Sequence, residues 1–301
     1  MTDRWDTVVI GAGAAGLSAA LVLGRARKHT LVVDANRQSN LAAHGIGGLL
    51  GWDGKPPAQL YAQGRAELGH YPSVEVRDGD VVSVTPHEGG FTVELLDGRS
   101  EQAARVLLAT GMRYQPPAVA GLEKFWGTSV FHCPFCHGWE ARDQPLAVIA
   151  NGEMATHGAM TLTGWTDDIV LLTNGPADFS DDARAQLTGK GVRIDERTIA
   201  RVSESDGELD GVVFEDGTVL ARRGLMVASR LHQRSDLAAA LGLQFAPPSP
   251  VSSEVISVDP FGQTSVPGVF AAGDVCTMMP QVASAVASGS AAAVAIVRTL
   301  I

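Results

Sequence analysis

The run Thr7-Val8-Val9-Ile10 is apolar and β-branched, and it breaks off at Gly11-Ala12-Gly13-Ala14-Ala15-Gly16. Apolar positions then recur with helical spacing from Leu17 to Arg27, and a second apolar run, Thr30-Leu31-Val32-Val33, closes on Asp34. This pattern predicts strand, turn, helix and strand, a βαβ unit with G-x-G-x-x-G in its first turn. The glycines of such a turn let backbone approach a pyrophosphate, the helix N-terminus favours its negative charge, and an acid ending the second strand accepts ribose hydroxyls. Asp34 stands 18 residues beyond Gly16, where that acid belongs. Glycine-rich turns also form for packing alone, so the assignment rests on strand, helix and acid together.

The same pattern returns as Leu146 to Ala150, a helical stretch Met154 to Trp165, and a strand Ile169 to Leu172. A shift of 139 residues sets Gly11 on Ala150, Gly13 on Gly152, Gly16 on Ala155 and Asp34 on Thr173. Gly13 keeps its counterpart, whereas the acid is lost. After the strand comes Thr173-Asn174-Gly175-Pro176-Ala177-Asp178, with no Arg or Lys to meet a 2′-phosphate. The second site therefore reads as degraded, and NAD(P)H is expected to bind weakly there.

Between the two units, short strands are expected around Val74 to Val76, Val81 to Val84, Phe91 to Leu95 and Arg105 to Leu108, the last running into Ala109-Thr110-Gly111. Pro116-Pro117 interrupts the pattern. A late strand, Val266 to Ala271, runs into Ala272-Gly273-Asp274, and an Ala-rich helix follows. A first domain that closes only at the end implies an inserted second one. The expected fold is α/β with two Rossmann-like, three-layer domains: residues 1–116 and 232–301 form the first, and 117–231 form the inserted domain.

A chain of 301 residues suits two domains of roughly 100–200 residues each. With 45% hydrophobic and 19% charged residues, it has the composition of a folded protein. The formal charge of -10 is spread along the chain without a basic cluster, which argues against nucleic acid and anionic membranes as partners. Asp3 and Asp6 stand where a secretory leader would be basic and then apolar, so a cytoplasmic location is expected. The apolar stretch Val282 to Val297 is broken by Ser and Gly and is short for a membrane span, so a packed helix is expected.

Two of the three cysteines lie as C-x-x-C in Cys133-Pro134-Phe135-Cys136-His137-Gly138-Trp139-Glu140, and Cys276 stands apart. Such a pair points to redox chemistry or to metal binding. His132, Cys133, Cys136 and His137 are four possible zinc ligands, but adjacent residues rarely converge on one tetrahedral ion and no second C-x-x-C exists, so no metal site is expected. Thiol attack needs a thiolate, and an ordinary thiol with a pKa of about 8.5 is mostly protonated near neutrality. His137 can move that proton, and Glu140 can orient the imidazole and favour its charged form.

Taken in order, the N-terminal Gly-rich turn, Ala109-Thr110-Gly111, Cys133-Pro134-Phe135-Cys136 and Ala272-Gly273-Asp274-Val275 resemble the low-molecular-weight thioredoxin reductases over essentially the whole chain. The resemblance implies FAD as cofactor, a discontinuous FAD domain and a homodimer. It also implies contacts to FAD from Gly11, Gly13, Ala15, Gly16, Asp34, Val82, Ala109, Thr110, Gly111, Gly273, Asp274, Gln281 and Val282. Asp274 would hold the ribityl chain, Gln281 and Val282 would face the isoalloxazine, Cys136 would face the flavin, and Cys133 would exchange with substrate.

Those reductases usually carry an Asp after the second cysteine, whereas here His137 follows. The run C-x-x-C-H-x-x-E is similar to that of the thioredoxin-reductase-like dithiol oxidases of the gliotoxin and holomycin type, and to atypical reductase homologues. The favoured expectation is oxidation of a small-molecule dithiol with oxygen as acceptor. The alternatives are a disulfide reductase acting on a thioredoxin-like protein or a small disulfide, fed by NAD(P)H or another reduced carrier, and a non-catalytic flavin redox sensor. The loop of His44, Gly45, Gly47 and Gly48 either approaches the cofactor or is a plain turn, and Cys276 is either near the flavin or a buried inert thiol.

Overall fold

The computed structural model describes residues 4–301, so Asp3 lies outside it. The chain forms two compact units. One comprises the chain up to Leu41, Leu49–Arg113 and Leu231–Ile301; the other comprises Ala42–Gly48 and Tyr114–Arg230.

In chain order the first unit begins with β1 (Arg4–Ile10), α1 (Ala14–Arg25), β2 (Thr30–Asp34), α2 (Pro57–Leu68) and β3 (Val74–Asp78). It continues with β4 (Val81–His87), β5 (Gly90–Leu95), β6 (Ser100–Leu108) and the start of β7 (Met112–Gln115). β1 lies parallel between β2 and β6, with Thr7 opposite Thr30 and Val8 opposite Val106. These strands are buried on both faces, as parallel strands covered by helices are, which is why they read as unbroken apolar runs. α1 was expected to reach Arg27 but ends at Arg25, because Arg27 turns left-handed with φ 58° and returns its N–H to Gly24.

The second unit follows with β8 (Val130–Phe131), α3 (Pro134–Ala141), β9 (Leu146–Ile149), α4 (Glu153–Leu162), β10 (Ile169–Leu172), α5 (Asp181–Gly189) and β11 (Arg193–Asp195). Then come β12 (Ile199–Ser205), β13 (Glu208–Phe214), β14 (Val219–Ala221) and β15 (Gly224–Val227). Its parallel sheet runs β11-β10-β9-β15-β8, and β12-β13-β14 make a separate antiparallel sheet. One apolar cluster, including Phe125, Ile149, Val212 and Phe214, packs between the sheets; a second, including Phe131, Val148, Ala159 and Leu162, lies under α4.

The chain closes the first unit with the end of β16 (Arg230–Gln233), α6 (Leu237–Ala240), β17 (Val269–Ala271) and α7 (Val282–Arg298). β17 lies parallel on β6, Val269 opposite Val106, so the C-terminal segment completes the sheet begun by the N-terminal one. The strand was expected from Val266 but starts at Val269, since Pro267 has no N–H and Gly268 takes φ 84°. α7 is Ala-rich because it packs at backbone distance: a Cβ on Gly289 would stand 2.1 Å from the Ala15 carbonyl oxygen. Among the described residues no helix is long and apolar enough to cross a membrane.

Candidate active site

In the first unit Gly11, Gly13, Ala15, Gly16, Asp34, Ala109, Thr110, Gly111, Gly273 and Asp274 lie at or just beyond the C-terminal ends of the parallel strands β1, β2, β6 and β17, where such folds bind ligands. Gly11 takes φ 104°, and a Cβ there would meet the Ala109 carbonyl oxygen at 2.3 Å, so the turn after β1 lies directly on the segment after β6. A Cβ on Gly16 would stand 1.8 Å from the Gly11 carbonyl oxygen, which makes this glycine a condition of the turn itself. Gly13 is different. Its φ of −75° suits any residue, and an added Cβ would meet only the Gln38 Cγ, at 3.8 Å. Neither conformation nor packing demands glycine there, so the space over this turn is open to the close approach of a ligand. Gly13 begins α1 without a side-chain cap, and Gln281 begins α7 in the same way with Val282 as its first residue.

Asp34, at the end of β2, is buried and accepts from the Ala12 N–H (3.1 Å), from the Gln38 Nε2 (2.9 Å) and from the Arg65 Nη2. Neither Gln38 nor Arg65 carried a signal in the sequence: Gln38 lies in the irregular segment after β2, and Arg65 on the mostly polar α2, which shares no motif with β2. Gly273 takes φ 80°, and a Cβ on it would press on the Ala15 methyl at 2.9 Å. Asp274 follows in a short turn. It is brought together with Asp34 around Tyr61, whose hydroxyl pKa burial and these two charges push up to about 12, against the hydrogen bond to Asn40. Gly111 takes φ 66° beyond Ala109 and Thr110, while Val82 lies on β4, half exposed. Cys276 donates to the Gly273 carbonyl, and burial with the nearby Asp274 charge pushes its thiol up to about 12, the condition of an inert thiol.

In the second unit Cys133 and Cys136 form a disulfide at the start of α3, with Cα atoms 5.4 Å apart. Cys133 is the extended N-cap and Pro134 the first helical residue, a place where a missing N–H costs nothing. The N–H groups of Cys136 and His137 both donate to the Cys133 carbonyl at 3.2 Å, so the helix start fixes the pair. Gly138 seats the helix on Trp165, because a Cβ there would lie 2.8 Å from the indole. The loop around Gly47, read as approaching the cofactor or as a plain turn, runs against this helix: a Cβ on Gly47 would meet the Cys136 carbonyl oxygen at 2.6 Å.

His137 stacks on Phe131, with ring centroids 5.6 Å apart, and both of its nitrogens are buried without a hydrogen bond. Burial pushes its pKa below the usual imidazole range, against the opposing pull of the Glu140 charge and of the Gly127 and Cys133 backbone. Glu140 is exposed and does not bond the imidazole. Glu140 acts on His137 through space rather than by a hydrogen bond, and desolvation outweighs it, which favours the neutral ring. His132 sits against Tyr114 (4.5 Å between centroids) and Trp126 (5.9 Å), and burial with the neighbouring His137 lowers its pKa to about 4. Among the described residues no three His, Cys, Asp or Glu side chains are placed to hold a metal ion.

A dinucleotide turn of this geometry together with a helix-borne disulfide defines a flavin-linked disulfide oxidoreductase of the thioredoxin reductase type. The pyridine nucleotide-disulphide oxidoreductase family matches residues 5–289, and the chain belongs to it. The thioredoxin reductase tcpT of Claviceps purpurea is 32% identical over 297 residues, 95% of this chain and 91% of that protein. The crystal structure of an oxidoreductase from Agrobacterium tumefaciens superposes with a TM-score of 0.93 at 38% identity, covering 99% of this chain and 98% of that one. The crystal structure of HlmI also gives 0.93 at 38% identity, over 100% and 93%. FAD is the cofactor of this family, and the open Gly13 turn fits it.

Proposed function

We propose that the protein oxidises a small-molecule dithiol to its disulfide and passes the electron pair to oxygen. The observation that carries this reading is the imidazole of His137 next to Cys136, its ring nitrogens buried and its pKa lowered by desolvation so that the neutral form is favoured. A dithiol must give up two protons to become a disulfide, whereas a reductase must deliver them, and a neutral imidazole is built to take them. A substrate thiol loses its proton to His137, and the thiolate attacks the Cys133 sulfur and releases the Cys136 thiolate, which the α3 N-terminus favours. The second substrate thiol displaces Cys133 and closes the product disulfide. FAD, when bound, supplies the two-electron acceptor that restores the Cys133–Cys136 disulfide and hands the pair to oxygen, so that dithiol and oxygen give disulfide and hydrogen peroxide.

In this reading residues 1–116 and 232–301 carry the FAD, through the glycines of the first turn, Asp34, the Ala109 segment, Asp274, Val82, Gln281 and Val282, and 117–231 carry the redox pair. A cytoplasmic homodimer is the expected setting. The second reading, a reductase of thioredoxin-like proteins, is favoured by the name of the Claviceps relative. Anaerobic mixing separates them: dithiothreitol should bleach the flavin, and in air peroxide should accumulate as the thiol is consumed. Rapid bleaching by micromolar NADPH, with efficient reduction of thioredoxin and little peroxide, would replace the oxidase with the reductase.

A further inference from the structure

The second βαβ unit carries its own filling. Under the 139-residue shift Asn151 takes the place of Ala12, and Glu153 that of Ala14. Asn151 spends its whole side chain inside the turn. Its Oδ1 accepts from the N–H groups of Gly152 (2.9 Å) and Asp178 (2.8 Å), and its Nδ2 donates to the carbonyls of Pro176 (2.9 Å) and Thr173 (3.3 Å). One side chain thus ties the turn after β9 to the loop after β10. At the first turn the residue in this place is a methyl group, which can make no such tie; neither α1 nor α4 carries a side-chain cap, so what Asn151 takes up is the N–H of the residue before α4, in the place of the Gly13 N–H.

The backbone has been rebuilt to match. Gly11 needs φ 104°, which Ala150 does not adopt; the positive φ moves to Gly152, at 64°, whereas Gly13 stands at −75°. Ala155 buries a methyl where Gly16 tolerates none, so the second turn is wider than the first. Thr173, in the place of Asp34, is buried and turns its hydroxyl onto the Gly175 carbonyl at 2.6 Å. The loop is held further by Glu196, which accepts from the Ala177 N–H at 3.0 Å and pairs with Arg184 at 2.7 Å. Glu153 lies in the first turn of α4, where an incoming phosphate would meet a like charge. A pyridine nucleotide does not fit this seat.

We infer that Asn151 is a built-in substitute for the nucleotide phosphate, a specificity-determining residue that closes the second fold to NADH and NADPH. The closure stands on the geometry of the second unit alone; its consequence, that the enzyme takes electrons from thiols, rests on the oxidase reading. The test is titration calorimetry of the flavin-loaded protein with NADH and NADPH, beside the variant Ala150→Gly/Asn151→Ala/Glu153→Ala, which restores small residues at the turn. Dithiothreitol-driven flavin bleaching serves as the control for folding. The native protein should show no saturable binding up to millimolar nucleotide, and the variant should bind at least about tenfold more tightly. Micromolar binding by the native protein, or no gain in a folded variant, overturns the inference. Should the variant not fold, hydrogen exchange on the native protein decides: the Gly152 and Asp178 amides should already be protected and unchanged by millimolar NADPH, whereas slowing on addition would show an open seat. Peroxide formation from dithiols is measured separately, so the oxidase reading can fail while the closure stands.

Discussion

Gly47 meets Cys136 at backbone distance, 89 residues apart in the chain: a Cβ on the glycine would stand 2.6 Å from the Cys136 carbonyl oxygen. The neighbour is main chain at the start of α3 and cannot swing aside as a flexible side chain would. Gly47→Ala should therefore displace the loop or the redox helix, at about 1–3 kcal/mol, the usual range for overpacking. Dithiol turnover should fall by roughly an order of magnitude with FAD retained. Unchanged turnover in the purified variant would show that the loop yields without disturbing the pair.

The two sulfurs are expected to differ in role. Cys136→Ser should leave Cys133 able to form a mixed disulfide that no neighbouring thiolate resolves, so incubation with an oxidised small disulfide should add its mass to the protein. Cys133→Ser should give no such adduct at Cys136. Mass spectrometry of the tryptic peptide spanning α3 checks this, and the opposite distribution would exchange the assignments.

His132 makes stability depend on pH. Its folded pKa of about 4 lies below the ordinary 6.5, so the unfolded chain takes up a proton first as the pH falls. The contribution is complete above about pH 6.5 and is lost between there and pH 4, on the order of 3 kcal/mol at 1.36 kcal/mol per unit. Carboxylates such as Glu75 and Asp78, also held below their ordinary range, lose stability in acid too, so the difference between native and variant protein is the readout. His132→Phe, placed against Tyr114 and Trp126, should flatten the slope of the denaturation midpoint between pH 7 and 4.5. An equal slope in both proteins would deny the burial of this imidazole.

His137 turns the same desolvation toward catalysis. Because its pKa is lowered, the base should remain neutral through pH 7, and the rate of dithiol-driven flavin bleaching should fall only as the pH drops below about 6.5. His137→Ala should slow that step by roughly 10²- to 10⁴-fold and remove the acid limb, with FAD still bound. A rate that instead rises in acid would make the imidazolium the active form.

The legible parts of this protein were local in sequence. β1, the glycine turn, α1 and β2 announce themselves because glycine spacing, apolar runs and the terminal acid all lie within one βαβ unit. The β12–β14 meander left a signal that the apolar pattern alone did not resolve: Asp206-Gly207, with φ 53° and 84°, and the glycine of Asp216-Gly217, with φ 81°, mark its two turns. α2 was hidden because only Pro57, Tyr61 and Leu68 are buried on it. The approach of Gly47 to Cys136, the grip of Arg65 on Asp34 and the bonds of Asn151 join distant segments or unremarkable residues, and no spacing rule reveals them. His137 and Glu140 stand one helical turn apart in the sequence, but whether they touch depends on which way a helix face turns its nitrogens.

The glycines of the first turn separate fold from cofactor. A methyl at position 16 would lie 1.8 Å from the Gly11 carbonyl oxygen, so Gly16→Ala must open the turn and should cost stability as well as FAD. Position 13 has an ordinary φ of −75°, and its added methyl would find only the flexible Gln38 chain at 3.8 Å. Gly13→Ala should therefore keep the melting temperature of the FAD-free protein within a few degrees, since nothing in the fold resists it. Its methyl would instead stand where backbone approaches the pyrophosphate, and the affinity for FAD should fall at least about tenfold. Measuring flavin content by absorbance after gel filtration, beside the melting curves of both stripped variants, distinguishes the two effects. One FAD per chain retained by Gly13→Ala would mean that the turn after β1 is not the pyrophosphate seat.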